Sequence, residues 1–226
     1  MKTKPILIFC ATLLISGFTS FGAMIMHTGN YSFPLSPGSQ NVALPQFDPL
    51  LGTLTSVKLD LTSVIQADIT AENNSAIPAS SFTVTFNGFT QATGPDSTSV
   101  LALFPGGTVG TTSLDPTDNG GVPNMSGPDY HNFGTLTDNK SANANASNLA
   151  LYTGTGTINV SVFGSGSFGF SGSTDATLNV SNFGGSGTVK VTYTYDEVAP
   201  VPEPSAYALI IAGIGLLTLR NRRRSR

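Results

Sequence analysis

Val189-Lys190-Val191-Thr192-Tyr193-Thr194-Tyr195 alternates apolar and polar side chains without a break. Successive side chains of a strand point to opposite faces, so Val189, Val191, Tyr193 and Tyr195 share one face and Lys190, Thr192 and Thr194 the other. The same period of two recurs in Val57-Lys58-Leu59-Asp60-Leu61, Phe82-Thr83-Val84-Thr85-Phe86, Ile158-Asn159-Val160-Ser161-Val162 and Leu178-Asn179-Val180. β-Branched and aromatic residues hold the apolar positions, as half-buried antiparallel strands require. Asn87-Gly88, Gly94-Pro95, Gly164-Ser165-Gly166, Ser171-Gly172-Ser173 and Gly184-Gly185-Ser186-Gly187 read as the turns between them. Nothing from Ala23 to Pro200 keeps a helical period. The fold expected is all-β, an antiparallel β-sandwich of jelly-roll type.

The ends of the chain follow other rules. Lys2 and Lys4 precede an apolar run, Ile6–Ile15, and Ser20-Phe21-Gly22 supplies small residues around a cut, so residues 1–22 read as a secretory signal peptide. Cys10 is the chain's one cysteine and lies inside that segment, which leaves the mature protein without thiol or disulfide. At the other end, Val201-Pro202-Glu203-Pro204 is followed by the uncharged stretch Ala206–Leu219 and then by Arg220, Arg222, Arg223, Arg224 and Arg226. Proline at 202 and 204 removes two backbone donors and favours an extended, readable peptide. As a helix, the fourteen residues 206–219 reach ~21 Å, against a hydrocarbon core of ~30 Å, a short span suited to a temporary tether. The arginines are expected to stop transfer and keep this end cytoplasmic. Residues 23–200 are then an exported domain and 201–226 an address.

That order of parts resembles the PEP-CTERM sorting signal, and Val201-Pro202-Glu203-Pro204 matches its motif. The resemblance implies export across the inner membrane and transient tethering by one C-terminal transmembrane helix. It further implies processing by an exosortase, a membrane cysteine transpeptidase, before the protein reaches the cell surface or extracellular space. Within the body, Gln46-Phe47-Asp48-Pro49-Leu50-Leu51-Gly52-Thr53-Leu54, with the Val57–Leu61 strand and the closing Val189–Tyr195 strand, is similar to the choice-of-anchor E domains. Those domains share one extracellular body among different surface anchors. Asp48 and Gly52 read as turn formers.

Charge and composition narrow the function. Lys58, Lys140 and Lys190 face twelve acids between residues 23 and 200, a net charge of −9. Such a body has no basic patch for nucleic acid. Gly164-Ser165-Gly166-Ser167-Phe168-Gly169 fits G-x-G-x-x-G, but a strand and not a helix N-terminus is expected to follow, so no dinucleotide site is read. There is no G-x-S-x-G, and His27 and His131 are the only histidines. The expectation is a protein that is not an enzyme and needs no cofactor.

Residues 115–148 carry little hydrophobic pattern and read as a long loop, with short edge strands able to hide in Tyr130–Leu136. Asp115, Asp118, Asn119, Asp129, Asn132 and Asp138 crowd hard oxygen donors into it, either as a weak calcium site or as a solvated acidic loop. The leading functional expectation is a structural or interaction protein of the cell surface or extracellular matrix, associated with exopolysaccharide. The alternative is a carbohydrate-binding module, calcium-assisted if the loop binds, with Tyr130, Phe133 and Tyr152 as candidate stacking residues.

Overall fold

Apolar side chains at alternate positions can be buried only where two strand layers face each other, and the chain does this with eight long strands. The computed structural model describes residues 22–198 and 212–217, together with Arg220, Asn221 and Arg223. The strands are β1 (Gly22–Pro34), β2 (Gly38–Pro45), β3 (Gly52–Asn73), β4 (Ala79–Thr93), β5 (Ser99–Leu114), β6 (Tyr130–Asn145), β7 (Thr157–Ser171) and β8 (Ala176–Glu197). One sheet runs β1-β8-β3-β6 and the other β2-β7-β4-β5. β1 pairs with β8, β2 with β7, β3 with β6 and β4 with β5, all antiparallel. This nesting is a hairpin-like ribbon rolled into two sheets, the jelly-roll arrangement.

Val189, Val191, Tyr193 and Tyr195 of β8 are buried, as are Val57, Leu59 and Leu61 of β3 and Ile158, Val160 and Val162 of β7. Burying each such side chain is worth about 1.5–3 kcal/mol. Phe47, from the loop before β3, packs its ring on Tyr193 and Tyr195 at centroid distances of 6.0 and 5.0 Å. The turn that delivers it is capped by Asp48, whose Oδ1 accepts the Leu50 N–H at 2.9 Å. A smaller core of Ala67, Ile69, Ala71, Phe82, Val84 and Leu114 fills the other end of the sandwich.

Three expected turns lie instead inside strands. Asn87-Gly88 belongs to β4, Gly164-Ser165-Gly166 to β7 and Gly184–Gly187 to β8, so Leu178–Val180 and Val189–Tyr195 are one strand and not two. The reason is close approach rather than chain reversal. A Cβ on Gly164 would stand 2.7 Å from Leu35 Cδ2, and one on Gly166 would stand 2.6 Å from Phe183 Cζ and 2.9 Å from Phe86 Cε2. Glycine here makes room for core side chains.

The expected loop at 115–148 is also shorter than read. β6 takes Tyr130–Asn145 and pairs with β3, Leu61 opposite Ala142 and Asp60 opposite Asn143. Its core contacts come from Leu136, Ala142 and Ala144, which are only partly buried. An edge strand of small and polar residues has no hydrophobic alternation to betray it. Among the described residues, no helix is long and apolar enough to cross a membrane; residues 212–217, Arg220, Asn221 and Arg223 are helical.

Candidate functional site

The loops after β3, β5 and β7 meet at one end, and Asn73 joins them. Its N–H donates to Asp129 O (2.9 Å), and its Nδ2 donates to Asp115 O (2.8 Å) and Ile77 O (3.0 Å). Its Oδ1 accepts from Ser75 N–H and Ser173 Oγ. Asn73 is fully buried, so the network is sheltered from water. Beside it, the buried carboxylate of Glu72 accepts both the Asn124 and Met125 N–H groups. Neither residue stands out in the sequence: Asn73 is turned inward by the register of β3, whereas Glu72 lies on the other face and is buried by the loop segment at Asn124 and Met125.

The six expected calcium donors are divided by this arrangement. Asn119 donates its amide to Val122 O, Asn132 accepts from Gly134 N–H, and Asp138 is paired with Lys140 at 2.8 Å. The Asp115 side chain is exposed. Asp118 and Asp129 come together: the Asp118 N–H donates to Asp129 Oδ2 at 3.1 Å, and Asp118 Oδ1 accepts from Asn124 Nδ2 at 3.1 Å. Among the described residues, no group of three or more His, Cys, Asp or Glu side chains is arranged to hold a metal.

The three candidate stacking residues are split between the two ends. Tyr152 is fully buried at the opposite end, and its hydroxyl donates to Asp96 Oδ1 at 2.8 Å. Asp96 also accepts from Thr98 and from the Ser147 and Asn148 N–H groups. Burial pushes the Asp96 carboxyl up, but the bonds from Thr98, Tyr152 and Ser147 outweigh it and hold it well below the usual carboxylate range. Burial and the Asp96 charge together push the Tyr152 phenol far up. Tyr130 and Phe133 are half-buried, and the Phe133 ring meets His131 edge-on at 4.8 Å. His27 packs edge-on against Tyr193.

The exposed aromatic surface lies elsewhere. Strands β2, β4, β5 and β7 contain no charged residue, although the body as a whole is strongly acidic. Register places Ser39, Phe163, Gln91 and Leu101 side by side across the outer face of this sheet, with Ser165, Phe89 and Leu103 in the next row. Phe163 is 41% exposed, Leu101 44% and Leu103 58%. The Phe89 and Phe163 rings stand 5.7 Å apart, and a 320 Å³ cavity beside them is lined by Asn87, Phe89, Leu103, Pro105, Ser165 and Ser167, among others. Gly164–Gly169 runs within β7 with no helix after it, so no dinucleotide cradle forms.

The fold thus defines a two-sheet antiparallel body with an uncharged outer face. Residues 200–224 match the PEP-CTERM protein-sorting motif. That motif implies an exported protein, sorted to the cell envelope or surface through an exosortase-type enzyme. The motif residues Val201, Pro202, Glu203 and Pro204 lie outside the described residues, as do residues 1–21 of the expected signal peptide 1–22 and Arg222, Arg224 and Arg226. No curated protein matches the chain. Among solved structures, it is similar to that of infectious bursal disease virus Gt strain, at 13% identity and a TM-score of 0.18, over 87% of this chain and 43% of that one. The Gx strain structure is similar at 11% identity and a TM-score of 0.16, over 87% and 42%. The chain spans less than half the length of either.

Proposed function

We propose that this is a non-catalytic, exported protein of the cell surface or extracellular matrix, tethered transiently, released by exosortase processing and associated with exopolysaccharide. The observation that carries it is the sorting motif at residues 200–224. A choice-of-anchor body fits that route, since its role is to be displayed whatever the anchor.

A second reading, carbohydrate binding, is favoured by the uncharged face of Phe89, Gln91, Leu101, Leu103 and Phe163. Neutral sugars offer apolar CH faces to aromatic rings and hydroxyls to amides, and they need no charge to hold them. Gln91 Nε2 donates to Ser99 Oγ at 3.0 Å and Thr93 Oγ1 at 3.4 Å, which leaves its oxygen open to a donor. None of the body's acids lies on these four strands, yet the body as a whole is strongly acidic, so an anionic polymer is the wrong partner. In affinity electrophoresis, the protein should be retarded by a neutral β-glucan gel and not by a polyuronate gel. Phe163→Ala should weaken that retardation roughly two- to tenfold, since losing a stacked ring costs about 0.5–1.5 kcal/mol. Equal mobility of wild type and variant in the neutral gel would remove the second reading and leave the first standing.

A further inference from the structure

We propose that Asp118 and Asp129 hold a hydrated calcium ion at the loop end of the sandwich. The site is remote in kind from the uncharged sheet face and does not depend on a glycan. Asp129 is fully buried, its Oδ2 is engaged by the Asp118 N–H, and its Oδ1 has no hydrogen-bond partner. A buried carboxylate oxygen left bare is costly, so something must answer it. Asp118 is exposed, and its Oδ2 is also without a hydrogen-bond partner, since Asn124 takes Oδ1 only.

The two bare oxygens converge. Gly127, at φ +92°, passes over them, and a Cβ there would collide with Asp118 Oδ2 and stand 3.0 Å from Asp129 Oδ1. Glycine at 127 is what lets the chain pass this close to both carboxylates. No cation of the β-body answers them. Lys58 and Lys190 are paired with Asp60 and Lys140 with Asp138. The neighbouring acid, Glu72, is already satisfied by the Asn124 and Met125 N–H groups, so the loop shape is set before any ion arrives.

Chemistry selects the ion. The donors are hard oxygens without nitrogen or sulfur, which excludes a zinc-type site. Two carboxylates leave most of the shell to water. Calcium accepts six to eight oxygens in irregular geometry, whereas magnesium demands a near-ideal octahedron and gives up its water reluctantly. An open site of this kind belongs with extracellular modules, at a Kd of ~10⁻⁴–10⁻³ M.

The test uses the purified full chain, stripped with EDTA and melted in calcium, magnesium or sodium chloride at matched ionic strength. About 10 mM calcium should raise the melting midpoint by roughly 3–11 °C over sodium, with magnesium doing less. Asp118→Asn, at an exposed position, should fold normally, lose the calcium shift and lose saturable calcium uptake in equilibrium dialysis. Asp129→Asn should lose the same uptake. A calcium shift no larger than that of sodium would overturn the proposal. So would a shift that survives in Asp118→Asn, because calcium would then be acting on the acidic surface at large.

Discussion

Asp96 shows how one side chain can hold three segments. Its Oδ1 takes the Tyr152 hydroxyl and the Thr98 N–H, and its Oδ2 takes Thr98 Oγ1 and the Ser147 N–H. Every partner donates, so an amide in its place would turn N–H against N–H. Asp96→Asn should therefore cost about 1–3 kcal/mol at pH 7, chiefly by setting the amide NH2 against the Ser147 and Asn148 N–H groups, which can only donate. The pH dependence has a definite sign. The folded carboxyl lies below its unfolded value of about 3.9, so its contribution is complete above that pH and is lost as pH falls below it. Melting curves between pH 2 and 7 should show a wild-type acid limb that Asp96→Asn flattens; parallel limbs would show that the acid limb arises from other carboxylates. Tyr193, pushed up to about 12 by burial, acts on the other side. Its contribution is complete below the unfolded value of about 10 and is lost as pH rises toward 12.

Among the strands, the glycines of β7 were hardest to read, and their role can be tested directly. Gly166→Val drives a branched side chain into Phe183 and Phe86, an overpacking that should cost about 1–3 kcal/mol. Ser167→Val, one position along and exposed, should be neutral or slightly stabilising, because β-branched residues favour strands. Equal midpoints for the two variants would mean that β7 does not need glycine there. The same residues explain what was legible. Val57–Leu61, Phe82–Phe86, Ile158–Val162 and Val189–Tyr195 carry bulky side chains at every second position, and all are buried in the sandwich. Glycine between such runs reads as a turn locally, and only the facing Phe33, Phe86 and Phe183 rings show that the strand passes straight on. β6 stayed hidden because alanine and threonine line it, and its pairing with β3 is a non-local fact. At the loop end, Asp118 and Asp129 were legible as acids. What anchors Asp129 and the loop around it is Asn73, turned inward only through the register of β3, and that was not.

Over the whole chain, charge is segregated into an acidic body and a basic end. The acids lie between residues 48 and 203, while half of the ten basic residues follow residue 219. An exported body can cross the membrane freely; five arginines at the end are costly to move through hydrocarbon, so transfer should halt with the end inside. Halting would place Val201–Pro204 at the membrane and so raise its effective concentration beside an exosortase-type enzyme there. Proline fixes φ at 202 and 204, so a peptide presenting Glu203 loses little entropy on being bound. The expected outcome is a released protein lacking residues 205–226 or most of them. Replacing Pro202 and Pro204 together by Ala should leave export intact and block processing, so that a larger form accumulates in the membrane fraction. Replacing the arginines by Ala should have the opposite fault, release of unprocessed chain, because nothing then holds the motif in place. Intact mass of the released wild-type protein decides the matter. A released chain still ending at Arg226 would mean that the last twenty-six residues act only as an anchor, and the sorting reading would have to be withdrawn.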